Sequence, residues 1–287
     1  MWFGPAGRRG GLRYDTCVRV RSLGLYTDLA LASWRGVVHD RHDHLVVSHP
    51  QAPAFKGGNM LVFERPPEAD DAARWCALYD RAFPSSPERD YRSLSWDGVD
   101  GEDGYLGPFL ANGFERDDSV VLLSERLEPP TTPALDVRIA PLRSDAEWEA
   151  AVAVQAADAE PSRRQRYQRL VSAVMRLNRR ATDAGHGVWW GAFRDDEMIA
   201  TLGLFRVDEL ARFQAVVTHP RERGRGVAST LLHHAAEAAR SAWGTRTLVL
   251  EAAADARALA FYQRLGLSPS ERRTSLTQSQ RLDAATT

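Results

Sequence analysis

The second half of the chain alternates between two hydrophobic periods. Strand-like runs cover 137–139, 188–193, 198–205, 213–218, 247–251 and 272–277. The runs at 188–193 and 198–205 are joined by Arg194-Asp195-Asp196-Glu197 and predict a hairpin. Between the strands the spacing turns helical. Trp148, Ala151, Val152 and Val154 mark a helix over 145–157 with Asp145 as its cap, and a second helix covers 163–182, ending near Gly185 and Gly187. A third spans 226–242 with a stripe of Val227, Leu231, Ala235 and Ala238, and a fourth spans 255–265, followed by Gly266. The order β-α-α-β-β-β-α-β-α-β is that of a mixed α/β domain.

Three prolines within Glu128-Pro129-Pro130-Thr131-Thr132-Pro133-Ala134 allow neither a helix nor a central strand, so this stretch reads as a linker. It divides the chain into units at 1–130 and 135–287. The first unit has its own pattern: a strand over 59–64, a helix over 69–83, a strand over 91–96, a short helix over 104–111 and a strand over 120–123. His39-Asp40-Arg41-His42-Asp43-His44 offers imidazoles and carboxylates, but Arg41 sits in its middle and no distant ligand matches it. It reads as a polar hairpin turn before Leu45-Val46-Val47, and no metal site is expected. Of Trp189-Trp190, one ring is expected in the core and one on a cleft wall, and His233-His234 is expected on the solvent side of its helix.

Composition narrows the class. The 287 residues are 44% hydrophobic and 26% charged, ordinary values for a globular chain. The 37 basic and 38 acidic residues leave a net charge of −1, without the basic excess of a nucleic-acid binder. No apolar run approaches the length of a membrane span, and the first eleven residues read as a flexible tail rather than a secretory signal. Cys17 and Cys76 are too few for a disulfide framework, so a cytoplasmic location is expected.

The strongest chemical signal is Thr218-His219-Pro220-Arg221-Glu222-Arg223-Gly224-Arg225-Gly226-Val227-Ala228, a strand end, a glycine- and arginine-rich turn and a helix start. Glycine lets the backbone approach a ligand closely. The first amides of the helix lack intrahelical partners and, with the helix dipole, favour an anion. Arg223 and Arg225 add charge suited to phosphate oxygens. The turn therefore reads as a pyrophosphate cradle. It lacks the Gly-Lys-Ser/Thr of a nucleotide P-loop and the third glycine of a dinucleotide fingerprint.

With these residues the sequence resembles the GNAT-type N-acetyltransferase superfamily. Arg223-Gly224-Arg225-Gly226-Val227-Ala228 matches the family's Gln/Arg-x-x-Gly-x-Gly/Ala signature, and the stretch from Asp255 through Tyr262 to Gly266-Leu267 resembles its Asn-x-x-Ala-x-x-x-Tyr helix with a closing Gly-Phe. Asp255 stands for asparagine and Leu267 for phenylalanine. The resemblance implies an α/β (α+β) fold, with a GNAT-like mixed central sheet flanked by helices. It also implies acetyl transfer from acetyl-CoA, as co-substrate, to an amine acceptor. Arg223, Gly224, Arg225, Gly226, Val227 and Ala228 would hold the pyrophosphate, the backbone of Val216, Val217 and Thr218 the pantetheine arm, and Asp255 would belong to the same cofactor site. Tyr262 would be the acid that protonates the departing thiolate.

The chemistry also asks for a base. A primary amine has a pKa near 10.4, so only about four in ten thousand molecules are neutral at pH 7. Glu251, at the end of the strand after the cradle helix, is the first candidate; Asp208, Glu209 and Glu160 are weaker ones.

Pro67 to Gly113 and Pro220 to Gly266 are both 46 residues apart, which suggests an internal repeat at an offset of 153 and two tandem GNAT-like domains. The offset places Phe109 on Tyr262, Asp71 on Gly224, Ala73 on Gly226 and Trp75 on Ala228. The first copy would then be degenerate. Asp70-Asp71 would meet a pyrophosphate with negative charge, and Phe109 carries no hydroxyl. Its job would be to wall the acceptor cleft or to fix the domain pairing. Two functions stay open: an N-acetyltransferase for a small-molecule or peptide amine, without nucleic-acid or membrane partners, and a non-catalytic coenzyme A-binding sensor or scaffold.

Overall fold

The computed structural model describes residues 18–84, 86 and 88–279. The N-terminal tail and Cys17 lie outside these residues. The first half contributes α1 (Leu23–Arg35), the hairpin β1 (Val37–Asp40) and β2 (His44–Ser48), β3 (Met60–Phe63), α2 (Asp71–Ala82), β4 (Tyr91–Trp96), α3 (Gly107–Ala111) and β5 (Glu115–Ser124). The second half contributes β6 (Arg138–Pro141), α4 (Asp145–Ala156), α5 (Arg164–Asp183), β7 (Gly187–Arg194), β8 (Glu197–Val207) and β9 (Leu210–Thr218). It continues with α6 (Val227–Trp243), β10 (Thr247–Ala253), α7 (Ala256–Arg264) and β11 (Ser268–Ser279).

All eleven strands form one mixed sheet in the order β1-β2-β3-β4-β11-β5-β10-β9-β8-β7-β6. β1–β3 and β7–β9 are antiparallel meanders, and each is followed by a parallel crossover, β3 to β4 and β9 to β10. The spacing that relates the halves in sequence recurs in their elements: β5 and β11 begin at Glu115 and Ser268, and α3 and α7 end at Ala111 and Arg264, 153 residues apart in both cases.

At the centre the halves exchange their last strands. β5 pairs with β10 of the second half, while β11 pairs with β4 of the first, and the two exchanged strands pair with each other. The linker does not separate two sheets. It is tied to the second half, where the Glu128 amide donates to the Leu265 carbonyl at 2.9 Å and the Ala134 amide to the Thr230 hydroxyl at 2.9 Å.

Helices cover both faces of the sheet. α6 and α7 bury Leu231, Leu232, Ala235 and Leu265 against Val120, Leu122, Leu248 and Leu250. α1, α4 and α5 bury Leu31, Trp148 and Met175 against Trp189, Phe193 and Phe205 on the other face. The cap of α4 falls one residue before the expected Asp145. The Ser144 hydroxyl accepts from the Glu147 amide while the Glu147 carboxylate accepts from the Ser144 amide, a reciprocal cap. Of the α6 stripe, Val227, Leu231 and Ala235 are buried, but the inward line continues through Ala239 rather than Ala238. Residues 39–44 run from the end of β1 through a turn at 41–43 into β2, with His42 at φ 70°.

α1 has no counterpart in the sequence reading, since its apolar residues run almost without a break. It starts on a buried carboxylate from the far end of the chain. Glu271 of β11 accepts from the Ser22 hydroxyl at 2.7 Å and from the Leu23 and Gly24 amides at 2.8 and 3.2 Å. A carboxylate at a helix N-terminus satisfies its open amides and its dipole together.

Candidate active site

The site begins where two parallel strands part. β9 and β10 are paired only at Leu210–Thr247, Ala211–Leu248 and Arg212–Val249. Beyond them β9 runs on to Thr218 against β8, while β10 stays with β5, its partner on the other edge from Leu248 to Ala253. The edge of β9 that carries Val216, Val217 and Thr218 therefore faces a fork. A register shift opposite Thr201–Gly203 and a left-handed Ala215 (φ 48°) bend β9 there. Val216 packs with the cluster under α6 and α7, and Val217 with the cluster on the opposite face.

The predicted cradle sits at the open end of this fork. Gly224 and Gly226 are left-handed, at φ 77° and 74°, and Gly226 is the N-cap of α6. The Thr230 amide bonds back to Gly226, so the amides of Val227, Ala228 and Ser229 are the open first turn. Arg223 donates to the Thr218 carbonyl at 3.2 Å and pairs with Asp158 at 2.8 Å. Both side chains of that ion pair are more than half exposed, and such a pair is worth only ~0–1 kcal/mol, which a phosphate competes with readily. Arg225 lies 3.4 Å from Glu222, whose carboxylate also holds Arg194.

The two glycines have different tasks. A Cβ on Gly224 would meet nothing within 4 Å, whereas a Cβ on Gly226 would lie 2.0 Å from the Thr132 carbonyl oxygen. Gly226 thus admits the linker backbone. The linker braces the turn from behind while Gly224 faces open space.

Tyr262 lies on α7, which packs against β10 and β11, and is partly buried against the apolar cluster under α6 and α7. Its ring meets Phe261 edge-on at 5.1 Å, and burial pushes the phenol pKa above its ordinary 10.0. Asp255 is the N-cap of α7: one carboxylate oxygen accepts from the Arg257 and Ala258 amides at 2.9 and 3.0 Å. That capping bond is the role the structure gives Asp255.

Glu251 is locked. Its carboxylate receives Arg212 at 2.9 Å, Arg273 at 2.7 Å and the Ser119 hydroxyl at 2.5 Å. Asp28 of α1 binds the same two guanidinium groups at 2.9 and 2.7 Å. Burial opposes the charge on Glu251, but Arg273 and Arg212 outweigh it and hold the pKa down to about 2. A carboxylate that weakly basic takes few protons at neutral pH, so the geometry turns the first base candidate into a structural anion. Asp208 and Glu209 lie in the β8–β9 turn, beside the Leu210–Thr247 pair at the closed end of the fork. Glu160 is exposed in the α4–α5 loop, the loop whose Asp158 reaches Arg223.

The sequence reading missed this five-residue network, because Asp28, Ser119, Arg212 and Arg273 lie far apart along the chain. The available signal was a charge at an inward position of an apolar strand, as with Arg212 between Ala211 and Phe213. Of the tryptophans, Trp189 is buried and donates to the Thr201 hydroxyl, while the partly exposed Trp190 meets His234 edge-on at 5.1 Å.

The first half differs at every matching place. Its β3–β4 ladder does not open: pairing continues through Phe63–Trp96, and the Asp97 amide bonds to the Phe63 carbonyl at 2.9 Å. Trp75 stacks on Phe63 at 3.6 Å and touches Phe109 and Trp96 at 5.7 and 6.3 Å. All four rings are buried. At the head of α2, Asp71 is held by Arg65 and Arg74 and its pKa is lowered. Among the described residues, no group of three or more His, Cys, Asp or Glu side chains could hold a metal ion, and no helix is long and apolar enough to cross a membrane.

A mixed sheet with a fork between parallel strands, entered by a glycine-arginine turn at a helix N-terminus, is a GNAT fold. Residues 148–267 match the family model described as acetyltransferase (GNAT) family. A search of curated proteins finds no match. Among solved structures the chain is similar to a functionally unknown conserved protein from Staphylococcus epidermidis ATCC 12228, with a TM-score of 0.65 and 13% identity over 85% of this chain and 93% of that one. It is similar to a GCN5-related N-acetyltransferase from Kribbella flavida, with a TM-score of 0.61 and 20% identity over 89% and 94%. It is also similar to a tandem GNAT protein from the clavulanic acid biosynthesis pathway, with a TM-score of 0.52 and 14% identity over 83% and 78%. At these identities the likeness is one of fold.

Proposed function

We propose that the protein is an acetyl-CoA-dependent N-acetyltransferase with one working site, in the second half, that transfers the acetyl group to a primary amine by direct attack on the thioester. The observation that carries this reading is the open β9–β10 fork with the cradle of Arg223–Ala228 at its mouth. The donor set fits a pyrophosphate: one turn carries three first-turn amides, a helix dipole and two arginines, and the left-handed Gly224 leaves the approach clear. When bound, acetyl-CoA supplies an activated acyl carbon with a good leaving group.

The chain's residues do the rest. Arg223, Arg225 and the α6 amides hold the diphosphate, and the free edge of β9 at Val216–Thr218 offers backbone groups to the pantetheine arm. Holding amine and thioester together removes much of the entropic barrier. The amine nitrogen forms the new C–N bond, the C–S bond breaks, the sulfur leaves with its electron pair, and the ammonium proton passes to water. Tyr262 faces the departing sulfur. A phenol with a raised pKa is a weaker acid than a thiol near 8.5, so it donates a hydrogen bond to the developing thiolate and does not transfer a full proton.

One observation favours the second reading, a coenzyme A-binding sensor: the best-placed carboxylate, Glu251, is consumed by Arg212 and Arg273. Following free-thiol release from acetyl-CoA with a panel of amines separates the two. Turnover with at least one amine is expected; tight acetyl-CoA binding with no turnover on any amine supports the sensor.

A further inference from the structure

The exchanged strands build a cavity that neither half could form alone. A space of about 470 Å³ lies over β4, β11 and β5, in the range of small-molecule sites. The strand registers set its floor. Ser93, Thr277 and Glu115 form one rung across the three strands, and Ser95, Ser275 and Asp117 form the next. Arg273 and Ser119 make a third, beside Glu251 of β10.

These are positions where a sheet of eleven strands would ordinarily present apolar side chains to a covering helix. Here they are hydroxyls flanked by carboxylates. Ser93 and Ser95 are 5% and 3% exposed, and burying hydroxyls on a central strand is unfavourable unless something satisfies them. Arg273 is 8% exposed, lines the cavity, and its buried Nε has no hydrogen-bond partner among the described residues. Of the lining carboxylates, Asp28 and Glu251 are already matched by Arg212 and Arg273, which leaves Glu115 and Asp117 against the single cation Lys56. The balance favours a cationic guest.

The cavity also meets the fork. Glu251 lies two residues past Val249, the last β10 residue paired with β9, and is bound by Arg212, the partner of Val249. We propose that this cavity is the acceptor site, and that the acceptor is a small hydroxylated primary amine that arrives as an ammonium ion. Its charge is met by Glu115 and Asp117 and its hydroxyls by the serine and threonine rungs. The assignment rests on the acetyl-transfer reading.

The test uses the full chain and the double variant Glu115→Gln/Asp117→Asn. Both residues are exposed, and the amide at 117 can still accept the bond from Thr277. The probes are 2-amino-1,3-propanediol and glucosamine, with propylamine as a cation without hydroxyls and glucose as a polyol without charge. Calorimetry without acetyl-CoA measures binding, and thiol release measures turnover. The hydroxylated amines should bind at least tenfold more tightly than either control. The double variant should lose at least tenfold in amine affinity and raise KM alike, with kcat within threefold and acetyl-CoA affinity unchanged.

Acetylation with an unaltered KM in the double variant would overturn the cavity and leave the enzyme reading standing. Amine binding lost in the double variant, but without turnover by the parent protein, would overturn the acetyl-transfer reading and the acceptor role with it. Equal binding of propylamine, or binding of neither hydroxylated amine, would overturn the proposed class.

Discussion

Gly224 and Gly226 make a controlled pair, because they share a left-handed backbone and differ only in what stands behind them. Replacing either with alanine forces a Cβ into a conformation that costs about 1–2 kcal/mol. For Gly224→Ala that is the whole cost, since no atom lies within 4 Å of the new methyl. For Gly226→Ala the methyl would begin 2.0 Å from the Thr132 carbonyl oxygen, so helix or linker must retreat by more than an ångström. Both are backbone, tied together by the Ala134–Thr230 bond, and overpacking of this kind adds about 1–3 kcal/mol. Urea unfolding of the three proteins should therefore place Gly226→Ala below Gly224→Ala by that increment at unchanged slope. Equal midpoints for the two variants would refute the argument that the linker sets the requirement at Gly226. Acetyl-CoA affinity adds a second reading: Gly226→Ala displaces the head of α6 and should weaken binding at least tenfold, about 1.4 kcal/mol, without touching the ligand.

Tyr262→Phe should lower kcat at least tenfold while acetyl-CoA affinity stays within a few-fold, read by steady-state kinetics with an identified amine; an unchanged kcat removes the hydroxyl from the mechanism. Calorimetry should give one acetyl-CoA per chain, since vacating the place of Trp75 in the first half would cost about 3–5 kcal/mol of packing; saturation at two sinks the plugged-half reading. Glu251→Gln should destabilise by about 3–5 kcal/mol in urea, because it leaves two buried guanidinium groups to Asp28 alone; a loss under 1 kcal/mol would show the network to be dispensable. The Glu251 pKa is depressed on folding, so its contribution is complete above the ordinary 4.5 and is lost as pH falls towards about 2; thermal melts of Glu251→Gln should lose this acid dependence.

Much of the second half was legible because its elements are local. The helix at 145–157 and the hairpin around Asp195-Asp196 are written in residues a few positions apart, and the structure moves their ends by a residue or two. The turn at 223–226 was legible for the same reason, as the join between a strand and a helix. Glu251 was misjudged because its basicity depends on Arg273 and Asp28, which the fold brings in from β11 and α1. The exchange of β5 and β11 was hidden because antiparallel strands with similar patterns accept either partner, and only the closed sheet decides. The demand that Thr132 makes on Gly226 is hidden for the same reason, since the two are 94 residues apart.

The strand exchange also sets the order in which the molecule can form. β4 ends at Trp96, but its neighbour β11 starts at Ser268, so on the ribosome the first half waits for nearly the whole chain with an open strand edge. Pairings at such sequence separation are slow to find, and an edge left open invites a strand from another molecule. The same geometry offers a route to the chain's origin. Two copies of a single half, each lending its last strand to the other, would make this sheet as a twofold homodimer. Joining them by a linker such as 129–133 would turn an intermolecular loan into an intramolecular one. One copy would then be free to pack Trp75 against its closed ladder while the other kept an open fork.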